Sequence, residues 1–233
     1  MTDQLNQGAR EYYRAYCAKH TSPNDPTFEF LCIYRSFLMA QFLARYHQPA
    51  LFHVDTDVIL QKRPEAWGGH PGTAWVIDAG QDAPMNYQSL MIAAAYLPLD
   101  WLKAFLQTFY EAFVQDDEPL DKVHGGLWAS KIENVHNDLG AVSDMTIWWM
   151  ALALHAAHLP LPVDLAEPRR PYGEADIRMS FPGRFRMASS GDVKELIEGH
   201  FVEKGTGRLV AALTTHYSGP LKDLMLTLPA APE

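Results

Sequence analysis

The chain has 233 residues, of which 48% are hydrophobic and 20% charged, a balance that supports one substantial core and excludes a disordered chain. Its net charge of −9 comes without any stripe of Lys and Arg, so nucleic acid and anionic membrane surfaces are excluded as partners. The opening MTDQLNQGAR lacks the apolar core of a signal peptide, no run reaches the roughly 18 apolar residues of a membrane span, and Cys17 and Cys32 alone exclude a disulfide framework, so a single cytoplasmic domain over residues 1–233 is expected.

Residues 8–19 predict a helix ending near His20, and TSPNDP is a turn built from cap and breaker residues. From Phe28 to about Tyr46, Phe30, Leu31, Tyr34, Leu38 and Phe42 recur at helical spacing. That helix runs into the strand ALFHVDTDVIL, the unit of a layered α/β sheet whose sites gather at the carboxyl ends of strands. TAWVIDAG predicts a further strand. SLMIAAAYLPLDWLKAFLQTFYEAFV contains helix, broken around Pro98. Residues 116–142 form a long polar connection, a candidate lid or binding loop. Ser143 resembles a cap before DMTIWWMALALHAAHL, with Asp144 in that helix's first turn. In HFVEKGTGRLVAALTTHYSG two strand-like runs flank a Gly-Thr-Gly turn, a hairpin that delivers His216 at the end of its second strand.

Two places carry chemistry. Asp55 and Asp57, one residue apart at a strand end, offer oxygen ligands to a hard cation such as Mg²⁺ or Mn²⁺, whose octahedral shell leaves room for water and phosphate. HYSGPLK adds an imidazole from His216, a close backbone approach at Gly219 and a point charge on Lys222. Together they describe a clamp for a metal diphosphate.

The D-x-D of Asp55 and Asp57, followed far downstream by H-x-x-G-x-x-K at His216, Gly219 and Lys222, resembles the glycogenin-like and lipopolysaccharide galactosyltransferase-like glycosyltransferases of the GT-A fold. The resemblance covers about residues 28–225. It implies an α/β fold with a mixed sheet flanked by helices and a C-terminal β-hairpin, with Asp55, Asp57 and His216 holding Mn²⁺ (or Mg²⁺) against the diphosphate of a nucleotide sugar, a UDP-sugar being the expected donor. It implies that Gly219 and Lys222 contact that diphosphate. CIYRSF matches the family's motif on the preceding helix, which implies that Arg35, twenty residues before Asp55, lies near donor sugar and phosphate. VSDMT implies that Asp144 orients the donor sugar. APMNYQSLMI matches the spacing of the family's Asn-x-Gly segment without its glycine, so Asn86 and Ser89 carry over only in part. The chain begins about one strand–helix unit later than the family does, so the N-terminal nucleotide-binding strand is expected to be missing.

The implied activity is metal-dependent transfer of a sugar to a glycan or other hydroxyl acceptor with retention of configuration. Two other readings use part of the same sequence: a haloacid dehalogenase-like phosphatase, in which Asp55 would be the nucleophile, and a degenerate GT-A domain that only binds nucleotide or glycan.

Several residues have plain structural readings. Arg35 could pair with Glu29 or Glu11 at the surface, and Asp144 could serve only as a favourable charge at a helix N-terminus. Trp148, Trp149, Leu152, Leu154 and Leu159 read as core. His155 and His158 read as hydrogen-bonded structural residues, and His53 has no expected role.

Overall fold

A computed structural model describes residues 2–22, 24–56, 58–60, 75–77, 91–115, 142–155, 163–164, 172–176, 185–186 and 195–216. Among them helices and small sheets alternate in a mixed α/β architecture. Backbone proximity groups the chain into two compact units, Met1–Leu51 with Ala83–Met91 and Leu97–Leu161, and Phe52–Asp82 with Ile92–Tyr96 and Pro162–Glu233.

The first unit is helical: α1 (Thr2–Ala18), α2 (Pro26–Arg45), α3 (Leu99–Phe109) and α4 (Asp144–His155). Helix α2 forms as expected but starts at Pro26, two residues before Phe28. Asp25 accepts hydrogen bonds from the amides of Thr27 and Phe28 at 2.9 and 3.0 Å, and Pro26 occupies the first turn, where its missing N–H costs nothing. The helix stops at His47, which adopts φ 53° so that the Gln48 amide can reach back to the Leu43 carbonyl at 2.9 Å, closing the left-handed cap that glycine usually supplies. Pro49 then prevents continuation.

Aromatic rings join these helices. Tyr12 meets Phe37 at 5.1 Å, Tyr13 meets Phe30 at 5.3 Å, and Phe105 meets Trp148 at 4.5 Å between ring centroids. Beyond α3 the last turn widens, with the Gln115 amide bonded to the Tyr110 carbonyl at 2.8 Å, and Ala112 and Phe113 stay buried.

In α2 the buried apolar set is Phe30, Ile33, Phe37, Ala40 and Leu43, whereas Leu31, Leu38 and Phe42 of the expected stripe are exposed. The period identified the helix, but apolar residues on two sides left the inward face undecided.

Two sheets follow. The first has the order β1 (Ala50–Val54), β4 (Met91–Pro98), β3 (Trp75–Ile77), β5 (Val163–Asp164), with β3 and β5 parallel. The Ala-rich run before Pro98 is therefore a strand, not helix, and the helix begins only at Leu99. Ile92, Ala94, Ala95 and Leu97 are all buried, as suits a central strand covered on both faces, and that burial overrides alanine's helix propensity.

The second sheet is built around β9 (Leu209–His216). β8 (His200–Val202) pairs antiparallel with its first residues and β2 (Val58–Leu60) with its last, while β6 (Tyr172–Asp176) runs parallel along residues 211–216. Since β6 takes one edge, β8 and β2 follow each other along the other. β7 (Leu196–Ile197) extends the hairpin, and Phe185, Phe201, Val210 and Ala212 form the small core beneath it. Among the described residues no helix is long and apolar enough to cross a membrane.

Tyr16 is a pressure point in the helical unit. It is 1% exposed, and its hydroxyl finds no hydrogen-bond partner among the described residues. Burial first, then the Glu29 carboxylate, pushes its pKa far above the ordinary 10.0. The folded state therefore keeps a proton that the unfolded chain loses above pH ~10, and stability falls as pH rises beyond that point by up to about 1.4 kcal/mol per unit. Tyr16→Phe should flatten this alkaline decline in urea-unfolding midpoints; an unchanged slope would contradict the assignment. Trp148→Ala, which empties a fully buried site against Phe105, should cost roughly 3–5 kcal/mol in the same assay.

Candidate functional site

The expected strand ALFHVDTDVIL is two strands. β1 ends at Val54, the Val58 amide bonds the Asp55 carbonyl at 3.1 Å, and β2 starts at Val58. Between Asp55 and Val58 the chain thus leaves one sheet and joins another. Aspartate and threonine favour turns because their short polar side chains compete for backbone hydrogen bonds. Asp57 itself lies outside the described residues.

Asp55 is half-buried, and a ring nitrogen of His53 lies 2.9 Å from its Oδ1. An ionised carboxylate only accepts, so the tautomer that fits has Nε2–H donating. Sequence reading gave His53 no role. The signal was available, because residues two apart on a strand share a face.

His216 comes to this turn from the other end of the chain. The β8–β9 hairpin forms as expected, with Gly205 and Gly207 at φ 88° and 69° and the Glu203 amide bonded to the Arg208 carbonyl at 2.8 Å. Thr206 Oγ1 donates to Glu203 Oε2 at 2.9 Å, and Arg208 Nε does so at 3.1 Å, which fixes the tip. β9 then ends at His216, in register with Val58. Antiparallel partners stand about 5 Å apart at Cα, so the backbone of His216 adjoins the residue immediately after Asp57.

A third strand reaches the same rung. β6 and β9 slip by one residue between Gly173 and Ala175, so that Asp176, not Ile177, is in register with His216. Asp176 was missed by sequence reading, which found no strand in PYGEAD.

Two oxygen donors and an imidazole nitrogen suit Mn²⁺ and, less completely, Mg²⁺. Among the described residues no group of three His, Cys, Asp or Glu side chains is gathered for a metal. Gly219, Lys222, Asn86, Ser89, His158, Leu159 and residues 116–141 of the expected loop also lie outside the described residues.

Arg35 and Asp144 meet. The Arg35 guanidinium donates to Asp144 Oδ2 at 2.8 Å across 109 residues of chain, with the two side chains 29% and 8% exposed. Glu29, one of the two surface partners considered for Arg35, is buried and accepts from Ser22 Oγ at 3.0 Å and Asn24 Nδ2 at 2.7 Å. Ser143 stands before the first turn of α4, its carbonyl accepting from the amides of Thr146 and Ile147 and its own amide donating to Thr146 Oγ1 at 3.3 Å. Asp144 is therefore held at a helix N-terminus, where the dipole favours its charge, and against a cation as well. Trp148 is core, as expected, whereas Trp149 is only half-buried, and the buried Nε2 of His155 makes no hydrogen bond among the described residues.

Comparison with protein-family models, with curated proteins and with solved structures finds no match.

If the Arg35–Asp144 contact carries energy, Arg35→Ala and Asp144→Ala should be non-additive. A double-mutant cycle in urea should return a coupling of about 0.5–3 kcal/mol, and a value near zero would mark the pair as incidental.

Proposed function

We propose that the chain is a metal-dependent glycosyltransferase that moves a sugar from a nucleotide diphosphate sugar to an acceptor hydroxyl. The observation that carries this reading is the pairing of Val58 with His216, which joins the ends of two motifs more than 150 residues apart in the chain. A chance D-x-D and a chance H-x-x-G-x-x-K have no reason to bring the first residue of one opposite the residue that follows the other.

In this reading Asp55, Asp57 and His216 are the ligands of a Mn²⁺ or Mg²⁺ ion. Such an ion, when bound, supplies neutralisation of the negative charge that develops on the departing diphosphate. Lys222 adds a positive point charge to the same oxygens, and Gly219 allows the backbone to approach them. His53 restrains one oxygen of Asp55 and so limits the directions in which that carboxylate presents the other. Asp176, whose backbone stands in register with His216, takes the role of positioning residue for that imidazole in this reading. The resemblance assigns Arg35 to the donor's sugar and phosphate and Asp144 to orientation of the sugar. The ion pair supports this by holding the carboxylate in one place. A UDP-sugar is the proposed donor and a glycan or other hydroxyl compound the acceptor, with retention of configuration.

Titration of UDP by calorimetry with and without Mn²⁺, followed by a nucleotide-sugar screen reading diphosphate release, tests the proposal. Binding that requires the metal is expected, and Asp57→Asn and His216→Ala should each abolish most of it. UDP binding that ignores Mn²⁺, or survives both substitutions, would sink the reading. Asp176→Ala should weaken Mn²⁺ binding by about 10–100-fold, the usual effect of an outer-shell partner, with recovery in Asp176→Glu. If His216→Ala weakens Mn²⁺ binding and Asp176→Ala does not, the metal site stands and only the role of Asp176 falls.

A further inference from the structure

Helix α2 is apolar on two sides, and only one of them is covered. Opposite the buried face, Phe28, Leu31, Leu38 and Phe42 are 62%, 59%, 49% and 52% exposed. A helix with apolar residues all round is normally enclosed, and scattered surface leucines would need no explanation, but these residues are not scattered. With Arg35 they occupy positions 28, 31, 35, 38 and 42, alternating steps of three and four, the seam spacing of a coiled coil. The flanking positions Thr27, Cys32, Tyr34, Met39, Gln41 and Tyr46 carry no formal charge, so nothing beside the seam repels a partner helix. Arg35, in mid-seam, has its guanidinium drawn to Asp144 at 2.8 Å.

We propose that this face is a self-association surface, on which α2 of a second copy lies antiparallel across a twofold axis level with residues 36 and 37. In that register position 28 faces 45, 31 faces 42 and 35 faces 38, so every contact is repeated by symmetry. Leu31 meets Phe42, Leu38 covers the stem of Arg35, and Arg45 reaches the ring of Phe28. A parallel arrangement would set Arg35 against Arg35 and Arg45 against Arg45, and charge therefore selects the antiparallel one. The area is sufficient. Large side chains offer about 150–250 Å² each, so four that are half exposed, with Tyr46 at 54%, put roughly 500 Å² per copy into the seam, and a pair buries about the 1,000 Å² that a specific interface needs. Of these side chains Arg35 alone is also assigned to the donor, through its guanidinium at Asp144; the variants below leave Arg35 in place, so association is tested separately from the catalytic reading.

Sedimentation equilibrium of the full chain tests it. The wild type should approach twice the 26.2 kDa chain mass at micromolar concentration. Leu31→Glu should raise the dimer dissociation constant at least about 100-fold, the scale of a lost hot spot repeated across a twofold axis. Because Leu31 is exposed in the single chain, helical circular dichroism and melting of a monomeric sample should stay as in the wild type. Leu38→Glu should weaken the dimer clearly less, since its carboxylate would face Arg35 of the second copy. A wild type that is monomeric overturns the proposal, as does a Leu31→Glu variant that still dimerises. A loss in Leu38→Glu as large as in Leu31→Glu overturns the antiparallel register.

Discussion

The candidate site depends on one constraint, the register of β2 against β9. Strand side chains alternate faces, so a slip of one residue would put Thr215 or Tyr217 opposite Val58 and turn His216 to the other side of the sheet. Three local devices hold the register. The Asp55–Val58 turn fixes where β2 begins, and the Glu203–Arg208 turn fixes the phase of β9 against β8. The small core of Phe185, Phe201, Val210 and Ala212 then anchors β9 from one face. Of these residues only Asp55 is itself a candidate ligand, and it holds the turn through its backbone carbonyl. Precision in the proposed metal group would rest on backbone hydrogen bonds, which are short and directional, more than on the side chains that would touch the ion.

Asp144 is held by a different kind of force. Most of its side chain is withdrawn from water, and an isolated carboxylate there would be costly. The Arg35 guanidinium and the amide end of α4 both favour its charge, yet well-packed apolar residues would commonly serve stability as well or better than a buried ion pair. Stability is therefore a weak reason for this arrangement. The measurable coupling between the two residues says whether the contact carries energy at all.

Much of the fold was legible because it is locally encoded. Asp25 and Pro26 announce α2, Ser143 and Asp144 announce α4, and Gly205 and Gly207 announce the hairpin, each through a backbone need that few residue types meet. What failed to be legible was set by tertiary context. Met91–Pro98 has the composition of a helix and became a central strand because it is covered on both faces. The inward side of α2 could not be chosen because both sides are apolar. In the site, the D-x-D and the H-x-x-G-x-x-K were readable as motifs, and Arg35 and Asp144 as single residues. The Arg35–Asp144 contact and the place of Asp176 beside His216 were not, since one is made across 109 residues and the other depends on a register shift that no local pattern records.

The uncovered side of α2 also has to be squared with a chain that carries a net charge of −9, because two such chains repel as they approach. The repulsion acts least where local charge is lowest or opposite in sign. Across Pro26–Arg45 the charged residues are Glu29, which is buried, and the two arginines 35 and 45, so this helix is a weakly positive strip on an acidic protein. Of the two arginines, one is neutralised by Asp144 and the other lies 5.8 Å over the ring of Tyr46. An approaching copy therefore meets a mainly apolar surface on which Arg35 stays partly exposed beside Asp144 and Arg45 is exposed at the end of the seam, so the local charge is opposite in sign to that of the chain as a whole. Apolar area and seam spacing, both set by Phe28, Leu31, Leu38 and Phe42, and charge, set by Arg35 and Arg45, select the same strip of the molecule.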